Sequence, residues 1–173
     1  MKLGFFKING DAVADPTFAT DGSACFDLRA DLTKGTIKGF LGQDRKTEQQ
    51  VLFTGSEKRV FLPEDPYFRW MIPTGLIFDI PTGYHIKVFM RGGTGLKRGI
   101  RLANGTGIID DDYVNETALL LQNLSGEPLE IEHGERLCQG MLERNVETDL
   151  VRIDTPPGQK TTRAGGYNST GRQ

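Results

Sequence analysis

Tyr84-His85-Ile86-Lys87-Val88-Phe89-Met90 is the stretch on which the fold turns. Ile86, Val88 and Met90 fall on one face of an extended strand and His85, Lys87 and Phe89 on the other, so the period is two. Strand-like runs recur at residues 3–8, 25–28, 59–62, 70–72, 76–80, 118–122, 129–131 and 137–142. Turn signals separate them: Pro73-Thr74-Gly75, Pro81-Thr82-Gly83, Asn104-Gly105, Ser125-Gly126 and His133-Gly134. Many short strands at this spacing predict an all-β sandwich or barrel, with no long amphipathic helix.

Two stretches depart from this pattern. Residues 33–58 are polar with little periodicity, and predict an extended loop or irregular hairpin inserted between core strands. Residues 155–173 follow Pro156-Pro157-Gly158 with Thr, Ser, Gly and Arg around a single aromatic, Tyr167. Such a tail cannot build a core, so it is expected to be a flexible C-terminal arm on a β domain of residues 1–154.

At 173 residues the chain is long enough to bury one sizeable core. A net charge of −2 argues against a nucleic-acid-binding coat. Cys25 and Cys138 are too few for a disulfide framework and are expected to be reduced. With only His85 and His133, neither a His-rich zinc site nor a Ser-His-Asp triad is expected. No run approaches membrane-spanning length, and residues 3–8 are too short for a signal core, so a cytoplasmic protein is expected.

Two blocks carry the chemistry. Residues 91–113, RGGTGLKRGIRLANGTGIIDDDY, set a Gly-rich turn beside Arg91, Lys97 and Arg98. Backbone N–H groups of Gly92, Gly93 and Gly95 suit a nest for phosphate oxygens. A hairpin signal at Asn104-Gly105, the apolar pair Ile108-Ile109 and the cluster Asp110-Asp111-Asp112 follow, ending at Tyr113. A carboxylate beside bound phosphate can act as general base for a water. Residues 163–171, RAGGYNSTG, add glycines, the hydroxyls of Ser169 and Thr170, the Arg163 fork and a ring able to stack on a base. Taken singly, the first block also reads as a turn before a solvated acidic loop, and the second as a plain tail.

In order along the chain, ATDGSACFDLRA (19–30), RGGTGLKRG (from 91), NGTGIIDDDY (104–113), GERLCQ (134–139) and RAGGYNSTG (163–171) resemble the five motifs of the trimeric all-β dUTPase family. The resemblance implies a jelly-roll-like β-sandwich subunit, a homotrimer with active sites shared between subunits, Mg2+ as cofactor and dUTP as substrate. It implies attack of water on the α-phosphorus to give dUMP and pyrophosphate, which supports dTTP synthesis and keeps uracil out of DNA. By the same resemblance Asp110 orients the water and holds the 3′-hydroxyl, and Tyr113 packs on the deoxyribose. Asn104 and the backbone at Ile108 and Ile109 read uracil. Arg91, Gly92, Gly93 and Gln139 meet the phosphates. Tyr167 stacks on the base, while Arg163, Ser169 and Thr170 hold the terminal phosphate. Asp27 holds a water on the magnesium, or else is a buried strand-end carboxylate. Arg136 reads as a structural ion-pair partner, and Asn123 as a side chain satisfying strand-end backbone groups.

The chain also departs from that pattern. Gly92 stands where the family usually has serine, Met90 where it has proline, and Cys25 where it has glycine. Arg163 lies one position nearer the glycines, Tyr167 replaces phenylalanine and Asn168 a glycine. These changes bear on rate more than on binding, and Thr94 is a candidate to supply the missing hydroxyl. They leave open a regulatory or binding protein that kept the fold and lost turnover. A dCTP deaminase shares the fold, but needs a glutamate where this chain has Leu120.

Overall fold

The structure, a computed structural model, describes residues 1–33, 36–41, 48–52 and 58–162. In chain order, β1 (Gly4–Lys7), β2 (Phe26–Arg29), β3 (Thr36–Phe40), β4 (Glu48–Leu52), β5 (Arg59–Leu62), β6 (Arg69–Pro73), β7 (Leu76–Asp79) and β8 (Tyr84–Met90) lead to one short helix, α1 (Gly92–Arg98). Then come β9 (Ile100–Leu102), β10 (Gly107–Ile109), β11 (Ala118–Asn123), β12 (Leu129–Glu132) and β13 (Arg136–Arg144). Two larger sheets, ordered β10-β8-β13-β2 and β4-β3-β6-β11-β9, are accompanied by the two-stranded pairs β1-β7 and β12-β5. This is the all-β architecture that the alternation predicts.

The two larger sheets share one apolar core. Ile86 and Val88 of β8 are buried with Leu119 and Leu121 of β11 and with Leu28, Ile72 and Leu137. Burying one face of each strand fixes its register, because a slip by one residue would turn the apolar set outward. Residues 33–58 do contain a hairpin: β3 pairs with β4 on one side and with β6 on the other.

Polar side chains close the strand ends. Asn123, 1% exposed, donates through Nδ2 to the carbonyls of Leu62 (3.3 Å), Pro63 (3.0 Å) and Glu127 (2.7 Å). Its Oδ1 accepts from the Ser125 N–H and hydroxyl. That is the backbone-satisfying role expected of it. His133 is also structural: Nδ1 accepts from the Leu32 N–H at 3.0 Å, which leaves Nε2 to donate to the Ala12 carbonyl at 2.9 Å.

One expectation fails. Asn104-Gly105 does turn the chain, with Gly105 at φ 72, but the arms are not a hairpin. β9 pairs with β11 in one sheet and β10 with β8 in the other. The turn is therefore a crossing from one sheet to the other, with Ile100, Leu102 and Ile109 all buried in the shared core. After Arg144 residues 145–162 are exposed and form no strand. Among the described residues no helix is long and apolar enough to cross a membrane.

Asn123→Ala should lower folding stability by about 3 kcal/mol, since it strips the shared donor from buried carbonyls. Urea unfolding checks this. A loss below about 1 kcal/mol would mean that water replaces the amide there.

Candidate active site

β10 lies at the edge of its sheet, paired to β8 on one side only: Gly107 opposite Val88, Ile108 opposite Lys87, Ile109 opposite Ile86. An edge strand presents N–H and C=O groups with no strand partner. Beside it opens a cleft of about 270 Å³, with Val88, Leu102 and Leu120 as apolar wall and Asn104, Asp110 and Tyr113 as polar groups. Asn104, Ile108, Ile109, Asp110 and Tyr113, all singled out in the sequence, thus line one space. The Asp110 side chain is exposed, and among the described residues no hydrogen bond or ion pair engages its carboxylate. Tyr113 is 42% exposed, and its hydroxyl donates to the Glu116 carbonyl at 3.1 Å.

A second cluster lies where β8 ends. β2, β13 and β8 align Asp27 opposite Gln139 and Gln139 opposite Phe89. Asp27 is 7% exposed, and both its oxygens are engaged: Arg91 Nε lies 2.9 Å from Oδ1 and Arg136 Nη1 lies 3.2 Å from Oδ2. Arg91 also donates from Nη1 to the Arg136 carbonyl at 3.3 Å. A carboxylate so buried needs such paired cations. Arg136 is thus the ion-pair partner that the sequence suggested.

The Gly-rich segment after Arg91 is not the turn expected. Residues 92–98 form α1, opened by a bond from the Gly95 N–H to the Arg91 carbonyl at 2.9 Å. Gly99 ends it in the left-handed region, φ 62, where an added Cβ would meet Ser125 Cα at 3.0 Å. Gly95 is therefore spent on the helix and cannot join a nest. The N–H groups of Gly92 and Gly93 belong to the first turn and have no partner within the helix. Thr94 is 6% exposed, and its hydroxyl reaches the Arg136 carbonyl at 3.4 Å. Arg98 is held by the Glu135 carboxylate and the Glu130 carbonyl.

The two groups draw on different residues of the chain: the cleft and the cluster of Arg91, Asp27 and Gln139 have none in common. Arg163, Tyr167, Ser169 and Thr170 lie outside the described residues. Sequence reasoning treated Asp111 only as one member of an acidic run and passed over Glu116. Both carboxylates accept backbone N–H groups, Asp111 from Gly83 and Glu116 from Gly75, each at 2.7 Å. Burial pushes the Glu116 carboxyl up from its ordinary value, with the Asp31 charge adding to this and the Gly75 bond opposing it. Burial also pushes the Cys138 thiol up to about 12, so it is inert. Both cysteines are free.

Among the described residues no three His, Cys, Asp or Glu side chains gather around a metal position. Asp27 has a guanidinium at each oxygen, so it does not fit a metal held by protein alone.

Residues 56–171 match the family described as dUTPase. The chain is 33% identical over 163 residues to a deoxyuridine 5′-triphosphate nucleotidohydrolase of Dinoroseobacter shibae, covering 94% of this chain and 90% of that one. To the enzyme of the same name from Brucella melitensis it is 34% identical over 174 residues, covering 98% and 92%. The crystal structure of dUTPase from Streptococcus mutans superposes with a TM-score of 0.62 at 22% identity, covering 84% of this chain and 98% of that one. A mutant dUTPase of Staphylococcus bacteriophage 80alpha with dUpNHpp gives 0.69 at 16% identity and covers 99% of each chain. The jelly-roll-like sandwich expected from the sequence is the fold of these structures.

Gly92 has no positive φ, and a Cβ added to it meets nothing within 4 Å. Gly92→Ser should therefore fold with stability within about 0.5 kcal/mol of the original chain. A larger loss by thermal or urea unfolding would show that the first position of α1 needs glycine after all.

Proposed function

The chain belongs to the dUTPase family, and from that premise we propose that it hydrolyses dUTP to dUMP and pyrophosphate. The observation that carries the assignment of the site is the meeting of Asn104, Asp110 and Tyr113 in one cleft against an edge strand. Uracil is a planar group with alternating donor and acceptor atoms. It suits the outward-facing edge backbone of β10 around Ile108 and Ile109 together with the Asn104 amide. Tyr113 covers the deoxyribose and leaves no room for a 2′-hydroxyl. Leu120 forms an apolar wall of the same cleft, which leaves a deaminase reading without its general base.

Asp110 orients a water, holds the 3′-hydroxyl and accepts the water's proton as its oxygen attacks the α-phosphorus. The new P–O bond forms as the bond to the β-phosphate oxygen breaks, and pyrophosphate leaves with that electron pair. Arg91, the N–H groups of Gly92 and Gly93, and Gln139 receive the phosphates. Arg163, Ser169 and Thr170 take the terminal phosphate, and Tyr167 stacks on the base. Asp27 would hold a water on a magnesium ion carried by the triphosphate. When bound on the triphosphate, magnesium draws charge from the phosphate oxygens. The separation of the cleft from the Arg91 cluster supports a homotrimer in which one subunit's cleft meets its neighbour's cluster.

Two measurements test this. Asp110→Asn should keep dUTP binding near its original value by calorimetry while turnover falls by about 10² to 10⁴-fold. Near-normal turnover removes Asp110 from the mechanism. Asp110→Asn and Arg91→Ala chains, each inactive alone, should regain about a quarter of full activity when co-refolded in equal amounts, if sites are shared between subunits. No rescue would confine each site to one chain.

A further inference from the structure

The tripeptide Pro-Thr-Gly occurs twice, at 73–75 before β7 and at 81–83 before β8. Gly75 and Gly83 both have positive φ, 68 and 81. Each carbonyl is already engaged: Gly75 accepts from the Ile8 N–H at 2.9 Å and Gly83 from the Asn145 N–H at 2.8 Å. Each N–H is free to bond elsewhere, and each bonds a carboxylate of the same loop. Gly83 donates to Asp111 Oδ2 and Gly75 to Glu116 Oε1, both at 2.7 Å.

That loop, residues 110–117, carries Asp110 and Tyr113. Asp111 is the immediate neighbour of Asp110. Glu116 supplies the carbonyl on which the Tyr113 hydroxyl rests, at 3.1 Å. Beyond Glu116 the Thr117 N–H bonds the Leu76 carbonyl at 2.8 Å, and the Thr117 carbonyl accepts from Thr74 Oγ1 at 2.6 Å. The loop is thus tied at two separate points to turns that other segments hold in place. Gly75 has little freedom to move, since even a Cβ there would lie 2.5 Å from Asp31 Oδ2 and 2.6 Å from Val13 Cγ2.

We propose that Asp111 and Glu116 are positioning residues: Asp111 anchors the loop so that the Asp110 carboxylate faces the α-phosphorus, and Glu116 anchors it so that the Tyr113 ring closes on the sugar. This rests on the roles assigned above to Asp110 and Tyr113. The action is through an accepted hydrogen bond, not through charge, so an amide of the same length should serve.

The test is a steady-state series on the full chain with dUTP and UTP, with melting temperatures recorded alongside. Asp111→Ala should lower kcat for dUTP about tenfold with KM within about twofold. Glu116→Ala should cut the preference for dUTP over UTP about tenfold. Asp111→Asn and Glu116→Gln should recover most of each loss, because each keeps an oxygen acceptor. Should an alanine variant not fold, Asp111→Glu and Glu116→Asp change the reach by one methylene, and the same parameters should move, by less. Alanine or reach variants with lower melting temperatures but original kcat and selectivity overturn the proposal and leave the clamps purely structural. Failure of the amide variants to recover activity also overturns it. Asp110→Asn and Tyr113→Ala run in parallel separate the two levels. If they lower turnover and selectivity while the clamp variants do not, only the clamps fail. If they too behave as the original chain, the assignment of the site falls with them.

Discussion

β8 is paired along both edges, to β10 and to β13, and this double pairing locates both halves of the site. On one side it backs the strand whose outer edge borders the cleft. On the other it aligns Gln139 and, one strand further, Asp27. Its last residue delivers Arg91 to the start of α1. The register rests on two buried side chains, Ile86 and Val88, at 0% and 4% exposure. Shifted by a residue, β8 would expose them and turn its own outward side chains inward.

The second dependency is electrostatic. Asp27 is a buried charge that would be costly alone, and its two guanidinium partners come from the ends of different strands. The same interaction that neutralises it also pins Arg91 and Arg136 at the mouth of the cluster. In the proposed site Arg91 would serve both structure and substrate recognition, so a change made there for one purpose would touch the other. An arginine suits this double duty because its planar fork can hold one carboxylate and still present N–H groups to another anion.

Much of this was legible in the residues. Alternation in 84–90 marks β8, the Gly turns mark its neighbours, and ordered motifs mark the cleft, because periodicity and turn chemistry are local. The structural roles of Asn123 and Arg136 were also readable. The α1 helix was not: seven residues with three glycines carry no apolar periodicity, and what closes the first turn is a backbone bond from Gly95 to Arg91. The hairpin reading of Asn104-Gly105 failed because a turn signal reports that the chain reverses, not which sheet each arm joins. Asp111 and Glu116 were missed because their partners are backbone N–H groups far away in sequence. The fifth-motif residues 163–171 fall outside the described residues.

The edge position of β10 has a consequence for how base choice can drift. If uracil is read largely by main-chain groups of Ile108 and Ile109, the code is written in peptide units that every amino acid but proline shares. Point substitutions along the strand would then leave the hydrogen-bonding pattern in place, and altering the preferred base would require displacing the backbone itself. Because β8 locks that backbone from behind, selectivity read in this way would be buffered against single substitutions along β10.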